Sequence, residues 1–434
     1  MVRQKRAAAP SHLRVRVATP RARPSRRAQS QVHGAWIVRL LEREGPASRR
    51  RLNRQTGLSM SSLTAICERL IQEGLVVESG TASPEGRGRG RRQRLLQLNA
   101  GGLGAVGLVY QRGFIAAAVV DLQGAVRWSR RWNGPFKGTR EAFLERLRAA
   151  LKEALRASPI PRHRLLAVGV GDPGLVDRRT GRTIRAVNMP DWKDVPVAEA
   201  LQEVARLPVC LERGDGLQAL GEAVYGAGED AQNVLYVTLV EEGVGGGITE
   251  NGRLVYGRDG TAGEIGHLSL TDGGPLCGCG LYGCLEAHIA PNRLIAQALQ
   301  AAKEGLLRHP LVASAKTLSF ADLLRAGLDG DQAVAGIFQE AARKLARAVG
   351  SVLNLLNPHA IVLGGLLVDA EPLMGEAFRR ELHRHAIAEM LQGVEIRLAR
   401  LGDAAVFAGV AALVRERMLA GSFAPFQEHT LSER

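Results

Sequence analysis

The chain has 434 residues, 45% hydrophobic and 23% charged, with 51 Gly and 18 Pro; this excludes a mainly disordered or fibrous protein and allows two or three domains. No apolar run approaches the roughly 18–20 residues of a membrane helix, and the Arg-rich start lacks the apolar stretch of a secretory leader, so a cytoplasmic protein spanning no bilayer is expected. The net charge is +15, and it is confined to the front: residues 1–100 hold 21 Lys and Arg against six Glu, the rest 37 basic against 37 acidic residues.

A basic head on a neutral body points to a polyanion-binding module joined to something with another task. Residues 1–30 contain nine Lys and Arg, three Pro and no acid, and are predicted to be a disordered basic arm. Residues 34–99 read as a winged helix-turn-helix. Trp36, Ile37, Leu40 and Leu41 give a first apolar helical face, ended by Gly45-Pro46. Ser48 is placed to cap a second helix, Gly57 to make the turn, and Ser59 to cap a third. In that third helix Leu63, Ile66, Leu70 and Ile71 share one face. Ser59, Ser61, Ser62, Ala65 and Arg69 are the residues expected to face DNA, because small side chains allow close approach while hydroxyls and Arg bond bases or phosphates.

Two strands then flank a Gly/Arg loop whose Arg87, Arg89, Arg91 and Arg92 suit phosphates or a narrow minor groove. A small helical protein-interaction module is the alternative. The basic wing favours nucleic acid, and the lack of an aromatic stacking surface favours double-stranded DNA over RNA.

Residues 101–421 read as α/β, with strand-like runs at 115–120, 165–170, 234–239 and 360–363 among Gly turns and Ala/Leu/Arg-rich helical stretches. Residues 422–434 form a tail. The sharpest chemistry lies in Gly263-Glu264-Ile265-Gly266-His267 followed by Pro275-Leu276-Cys277-Gly278-Cys279-Gly280-Leu281-Tyr282-Gly283-Cys284-Leu285-Glu286. Five cysteines are too few for a disulfide framework. Three thiolates and an imidazole at His267, Cys277, Cys279 and Cys284 are the donors Zn²⁺ prefers, and four of them close a structural site with no open position for a water. Three redox-active thiols beside an unrelated His267 are the alternative.

These segments resemble the ROK family of sugar-responsive repressors and sugar kinases over residues 34–415. The resemblance rests on Glu-x-Gly-His at 264–267, Cys-Gly-Cys-Gly-x-x-Gly-Cys-x-Glu at 277–286, and Asn357-Pro358 leading to Ile361-Val362-Leu363-Gly364-Gly365. Gly171-Asp172-Pro173-Gly174-Leu175-Val176-Asp177 and Asn188-Met189-Pro190-Asp191-Trp192 also resemble family blocks. The winged helix resembles the repressor branch. The resemblance implies a two-lobed actin-like, hexokinase-like (ribonuclease H-like) ATPase-type body and structural zinc. It also implies a sugar cleft between the lobes, and homodimers or homotetramers on operator DNA. It assigns sugar contacts to Asn188, Glu264, His267 and Glu286; an alternative for the two glutamates is to orient the zinc loop.

The kinase features of that family are not matched. The Asp-x-Gly-Gly-Thr phosphate loop corresponds to Val109, Tyr110, Gln111, Arg112 and Gly113, and a second Gly-rich loop begins with Glu241-Glu242. Two carboxylates there oppose an ATP phosphate. The catalytic Asn-Asp pair corresponds to Arg213-Gly214, with Asp215 one residue late and expected to point elsewhere. Neither ATP binding nor kinase activity is therefore expected. Arg213 either binds an anionic effector such as a sugar phosphate or sugar acid, or fills the cleft by pairing with Glu264 or Glu242. The expectation is a bacterial-type regulator, a repressor of carbohydrate-related genes, modulated by a sugar or sugar derivative. The rivals are a sugar kinase with a DNA-binding head and a ligand-independent DNA binder.

Overall fold

Short capping side chains and left-handed glycines at 45, 57 and 74 divide the head into its helices. The computed structural model of the chain describes residues 26–82, 93–134, 136, 138–241, 243–307, 309–313 and 317–420. Helix α1 (Arg26–Glu44) is followed by a two-residue strand, β1 (Ala47–Ser48). Ser48 Oγ accepts from Arg51 N at 3.2 Å and starts α2 (Arg49–Thr56). The chain leaves α2 at Gly57 with φ 67°, a conformation that strains any residue with a Cβ. Ser59 Oγ accepts from Ser62 N at 3.2 Å and starts α3 (Met60–Gln72). Strands β2 (Val76–Ala82) and β3 (Gln93–Leu98) pair antiparallel, and β1 lies on the far edge of β3. Ile37, Leu41, Leu52, Leu63, Ile66, Leu70 and Leu96 are buried between helices and sheet. This is a winged helix.

Residues 26–30 of the arm expected over residues 1–30 are helical instead, because α1 already begins at Arg26 and no proline interrupts it before Glu44. Residues 1–25, the wing tip 83–92 and the tail 421–434 lie outside the described residues.

The body is one architecture used twice. In the first lobe β4 (Gly104–Gln111), β5 (Phe114–Asp121) and β6 (Val126–Asn133) form an antiparallel meander. Helix α4 (Arg140–Ala157) leads to β7 (Leu165–Asp172), parallel to β4. A small sheet of β8 (Leu175–Asp177), β9 (Arg182–Ala186) and β10 (Met189–Val195) follows. Helix α5 (Val197–Ala205) then leads to β11 (Val209–Arg213), parallel to β7. The strand order is β11-β7-β4-β5-β6. After α6 (Gly214–Tyr225) the second lobe repeats the pattern with β12 (Asn233–Val240), β13 (Gly243–Glu250) and β14 (Arg253–Leu254).

Helices α7 (Leu285–Ile289), α8 (Pro291–Lys303), α9 (Pro310–Ala313), α10 (Phe320–Leu328) and α11 (Gln332–Leu356) precede β15 (Ala360–Gly365). Then come α12 (Leu366–His385), α13 (Ala388–Leu391), β16 (Glu395–Leu398) and α14 (Ala405–Leu419). The second order is β14-β13-β12-β15-β16, with β12, β15 and β16 parallel. In both lobes the first strand is central, a meander lies on one side and two parallel strands on the other. This is the α/β, actin-like body expected.

The two lobes exchange helices. The first lobe's α6 packs on β12 and β13, and the second lobe's α14 packs on β4, β5 and β7. The two helices also pack closely on each other. A Cβ at Gly221 would lie 2.1 Å from Ala405 O, and one at Gly409 only 1.8 Å from Leu217 O, so their backbones touch. One hydrophobic cluster runs from Ile37, Leu41 and Leu70 in the head through Leu103 and Leu122 to Val410 and Met418, seating the head on the body. Among the described residues, no helix is long and apolar enough to cross a membrane.

Candidate metal centre, interlobe cleft and nucleic-acid interface

After β14 the chain enters a loop pinned by backbone bonds. Leu270 N donates to Gly283 O at 2.8 Å, Leu285 N to Leu268 O at 2.9 Å, and Cys277 N to Leu281 O at 2.8 Å. The loop brings one donor atom each from His267, Cys277, Cys279 and Cys284 within 4.8 Å of one another. Cys279 Sγ and Cys284 Sγ are 3.8 Å apart, and Cys277 Sγ lies 3.6 Å from His267 Nδ1. Zinc–sulfur bonds of about 2.3 Å in a tetrahedron require edges of about 3.8 Å, so the sulfurs already stand at ligand spacing. Burial pushes the Cys277 thiol up to about 12 and raises that of Cys284, so the thiolate form of this cluster calls for a cation. The group fits a metal ion.

The cluster is braced from the cleft side. His267 turns Nε2 toward Glu264, whose Oε2 is 3.7 Å away. Glu286 Oε2 accepts from Val244 N at 3.1 Å, and its Oε1 lies 3.5 Å from Cys277 Sγ. Glu286 thus ties β13 to the metal loop, the orienting role set beside sugar contact above. The β9–β10 turn, which carries the exposed Asn188, meets the same loop from the other lobe. A Cβ on Gly278 would stand 2.8 Å from Val187 Cγ1.

Arg213 closes the cleft beneath this cluster. It ends β11 and is 4% exposed. Its Nε and Nη2 donate to the two oxygens of Asp215, each at 3.0 Å. Nη1 reaches Glu264 Oε1 at 2.5 Å and Ala262 O at 3.0 Å, and Nη2 reaches Gly246 O at 2.6 Å. Burial alone would lower its pKa, but Asp215 and Glu264 outweigh burial and raise it. Of the two arrangements open to Arg213, the structure has it paired with Glu264; Glu242 lies outside the described residues.

Asp215 does not point elsewhere, as spacing alone had implied. The strand ends at Arg213 and the helix starts at Gly214, so Asp215 folds back over the strand end and also accepts from Gly246 N at 3.1 Å. Sequence reasoning also missed Arg178, whose guanidinium lies 3.3 Å above the Tyr256 ring and 2.8 Å from the buried Glu212 carboxylate. Nothing in the local pattern pairs residues so far apart in the chain.

Where a phosphate loop would lie, Val109, Tyr110 and Gln111 belong to β4, and Arg112-Gly113 make a two-residue hairpin turn. The buried Tyr110 hydroxyl donates to Asp172 and accepts from Trp192 Nε1 at 3.0 Å. Thr183 Oγ1 bonds the same carboxylate at 2.5 Å, and Phe143 stacks edge-on against both Tyr110 and Trp192. Burial raises the Asp172 pKa.

On the head, Ser59, Ser61, Ser62 and Ala65 are exposed along one side of α3. Arg69, one turn on from Ala65, is half-buried. Its Nη1 pairs with Glu73 at 3.0 Å and its Nη2 donates to Ser30 O of α1 at 3.2 Å, so it also ties the helices together. Arg50 on α2 is exposed and is a basic group the spacing did not single out. Arg87, Arg89, Arg91 and Arg92 lie outside the described residues.

A duplicated sheet with exchanged helices, behind a winged helix, defines a kinase-fold body carrying a nucleic-acid-type head. The ROK family pattern matches residues 111–417, and the chain belongs to the ROK family. It is 26% identical over 392 residues to the putative xylose repressor of Caldicellulosiruptor sp. (strain Rt8B.4), covering 90% of this chain and 97% of that protein. A solved ROK family transcriptional regulator, described as a homolog of the E. coli MLC protein, superposes with a TM-score of 0.78 at 26% identity, covering 91% of this chain and 97% of that one. A ROK family glucokinase from Streptomyces griseus in complex with glucose and AMPPNP gives a TM-score of 0.62 at 29% identity. It covers 72% of this chain and 99% of its own.

Proposed function

We propose that this chain is a DNA-binding transcriptional regulator, a repressor of carbohydrate-related genes, whose operator affinity follows the state of the interlobe cleft. One observation carries the reading: the likeness to repressor-type proteins takes in head and body together, whereas the glucokinase is matched over 99% of its length yet leaves more than a quarter of this chain uncovered. A homodimer or homotetramer in the cytoplasm presents paired α3 helices to successive major grooves, about 34–36 Å apart, with the wings on the backbone or minor groove. Ser59, Ser61, Ser62, Ala65 and Arg50 contact the duplex beside the wing arginines. Zn²⁺ held by His267, Cys277, Cys279 and Cys284 is structural, since four protein ligands leave no position for an activated water.

The body works without catalysis. Among the described residues, the cleft carboxylates of Asp215 and Glu264 are both bonded to Arg213, which opposes their taking a sugar proton. The occupied cleft instead sets the position of α6, which begins beside Arg213 and ends at Tyr225. Tyr225 Oη donates to Leu122 O at 2.9 Å and accepts from Arg415 Nη1 at 3.3 Å, and Arg415 pairs with Glu42 of α1. A change in the cleft that shifts α6 thereby alters how the head is held, which is the bias between two states that induction needs.

The test is operator binding across a salt series. Replacing Arg87, Arg89 and Arg91 together by Ala should weaken binding and reduce the log–log salt slope by up to about 2.7, at about 0.9 per phosphate contact. An unchanged slope rejects the wing role. Robust ADP release from ATP and a hexose would overturn the non-enzymatic reading.

A further inference from the structure

We propose that Arg213 is a tethered ligand: the cleft is a guanidinium cage filled by the protein's own side chain, which holds the lobes together and closes the site to neutral and anionic sugars. This rests on the reading of the cleft as the part of the body whose state sets operator affinity. The cage has acceptors only, namely both Asp215 oxygens, Glu264 Oε1, and the carbonyls of Ala262 and Gly246. A guanidinium has five N–H donors, and five bonds are made, so the match is complete. Gly246, Ala262 and Glu264 belong to the second lobe and Arg213 to the first, so the cage is also a clasp. Arg178, stacked on Tyr256 of the second lobe, is a second strap alongside it.

The donor–acceptor pattern sets the selectivity. An anion entering here meets two carboxylates with their one cation already shared between them. A neutral hexose would have to displace Arg213 and leave a buried charge without partners, which is strongly unfavourable. What the emptied cage accepts is a planar, donor-rich cation.

The experiment compares melting of the full chain and its Arg213→Ala variant with methylguanidinium at low millimolar concentration, using sodium chloride and urea as matched controls. The variant should melt several degrees below wild type. Methylguanidinium should restore much of that loss in a saturable way while leaving wild type unshifted. Arg213→Lys, which keeps the charge with three donors, should melt between the two and serves if the Ala variant does not fold. Glucose and glucose 6-phosphate should leave wild type unshifted.

Saturable stabilisation of wild type by either sugar, a variant that melts like wild type, absent rescue, or equal methylguanidinium effects on both proteins each overturns the tethered ligand. Operator binding by the same wild-type sample is scored separately. If it fails while rescue succeeds, the regulator reading falls and the cage stands.

Discussion

Replacing Gly409 by Ala puts the helix exchange at the centre of the body to a quantitative test. A Cβ there would lie 1.8 Å from Leu217 O, 2.6 Å from Leu217 C and 3.0 Å from Leu217 Cα, all backbone atoms that cannot rotate away. Reaching even 3.0 Å from that oxygen requires α6 and α14 to part by more than 1 Å. Overpacking of this kind costs about 1–3 kcal/mol, and the rigid contact places Gly409 at the upper end. Ala gains back about 1 kcal/mol of helix propensity, leaving a net loss of about 2 kcal/mol. For a large domain that lowers the melting temperature by roughly 4–8 °C.

Gly336 in α11 is the control, because a Cβ there meets nothing within 4 Å. The same substitution should stabilise by about 0.4–1 kcal/mol. Thermal melts of the two variants beside wild type decide the matter. A Gly409→Ala protein that melts at or above wild type, or two shifts of the same sign, refutes the backbone contact.

The remaining sites give shorter tests. Cys284→Ser removes a fully buried sulfur of the metal group; metal analysis should find about one zinc per wild-type chain and little in the variant, and a folded, zinc-replete variant contradicts the ligand set. Glu42→Gln takes away the anion that faces Arg415 at the junction of head and body. The pair is about one-fifth exposed on both sides, so the loss should be about 1–2 kcal/mol, below that of a fully buried pair. Hydrogen exchange should rise in α1 relative to the sheets of the body, and unchanged exchange there removes Glu42 from the coupling.

What the sequence disclosed was whatever is encoded locally. The head was readable because Ser48, Gly57 and Ser59 each act within three residues of themselves, as cap, turn and cap. The metal group was readable because three of its four donors lie within eight consecutive residues, and the ion's donor chemistry restricts the fourth. The internal bonding of Arg69 was not legible because helical spacing gives the face of α3 but not the neighbour that α1 supplies at Ser30. The start of α1 was misplaced because composition marks where charge accumulates, not where a helix begins.

Asp215 shows the limit most clearly. Alternation along a strand predicts where successive side chains point only while the strand lasts. Here the strand stops at Arg213 and helical geometry begins at the next residue, so Asp215 swings back toward its neighbour. A Cβ at 214 would lie 3.6 Å from Asp172 O, an ordinary contact, so the return of Asp215 follows from the junction of strand and helix and not from the glycine. The cleft is internally consistent as a closed cage, with each of the five N–H donors of Arg213 met by an acceptor.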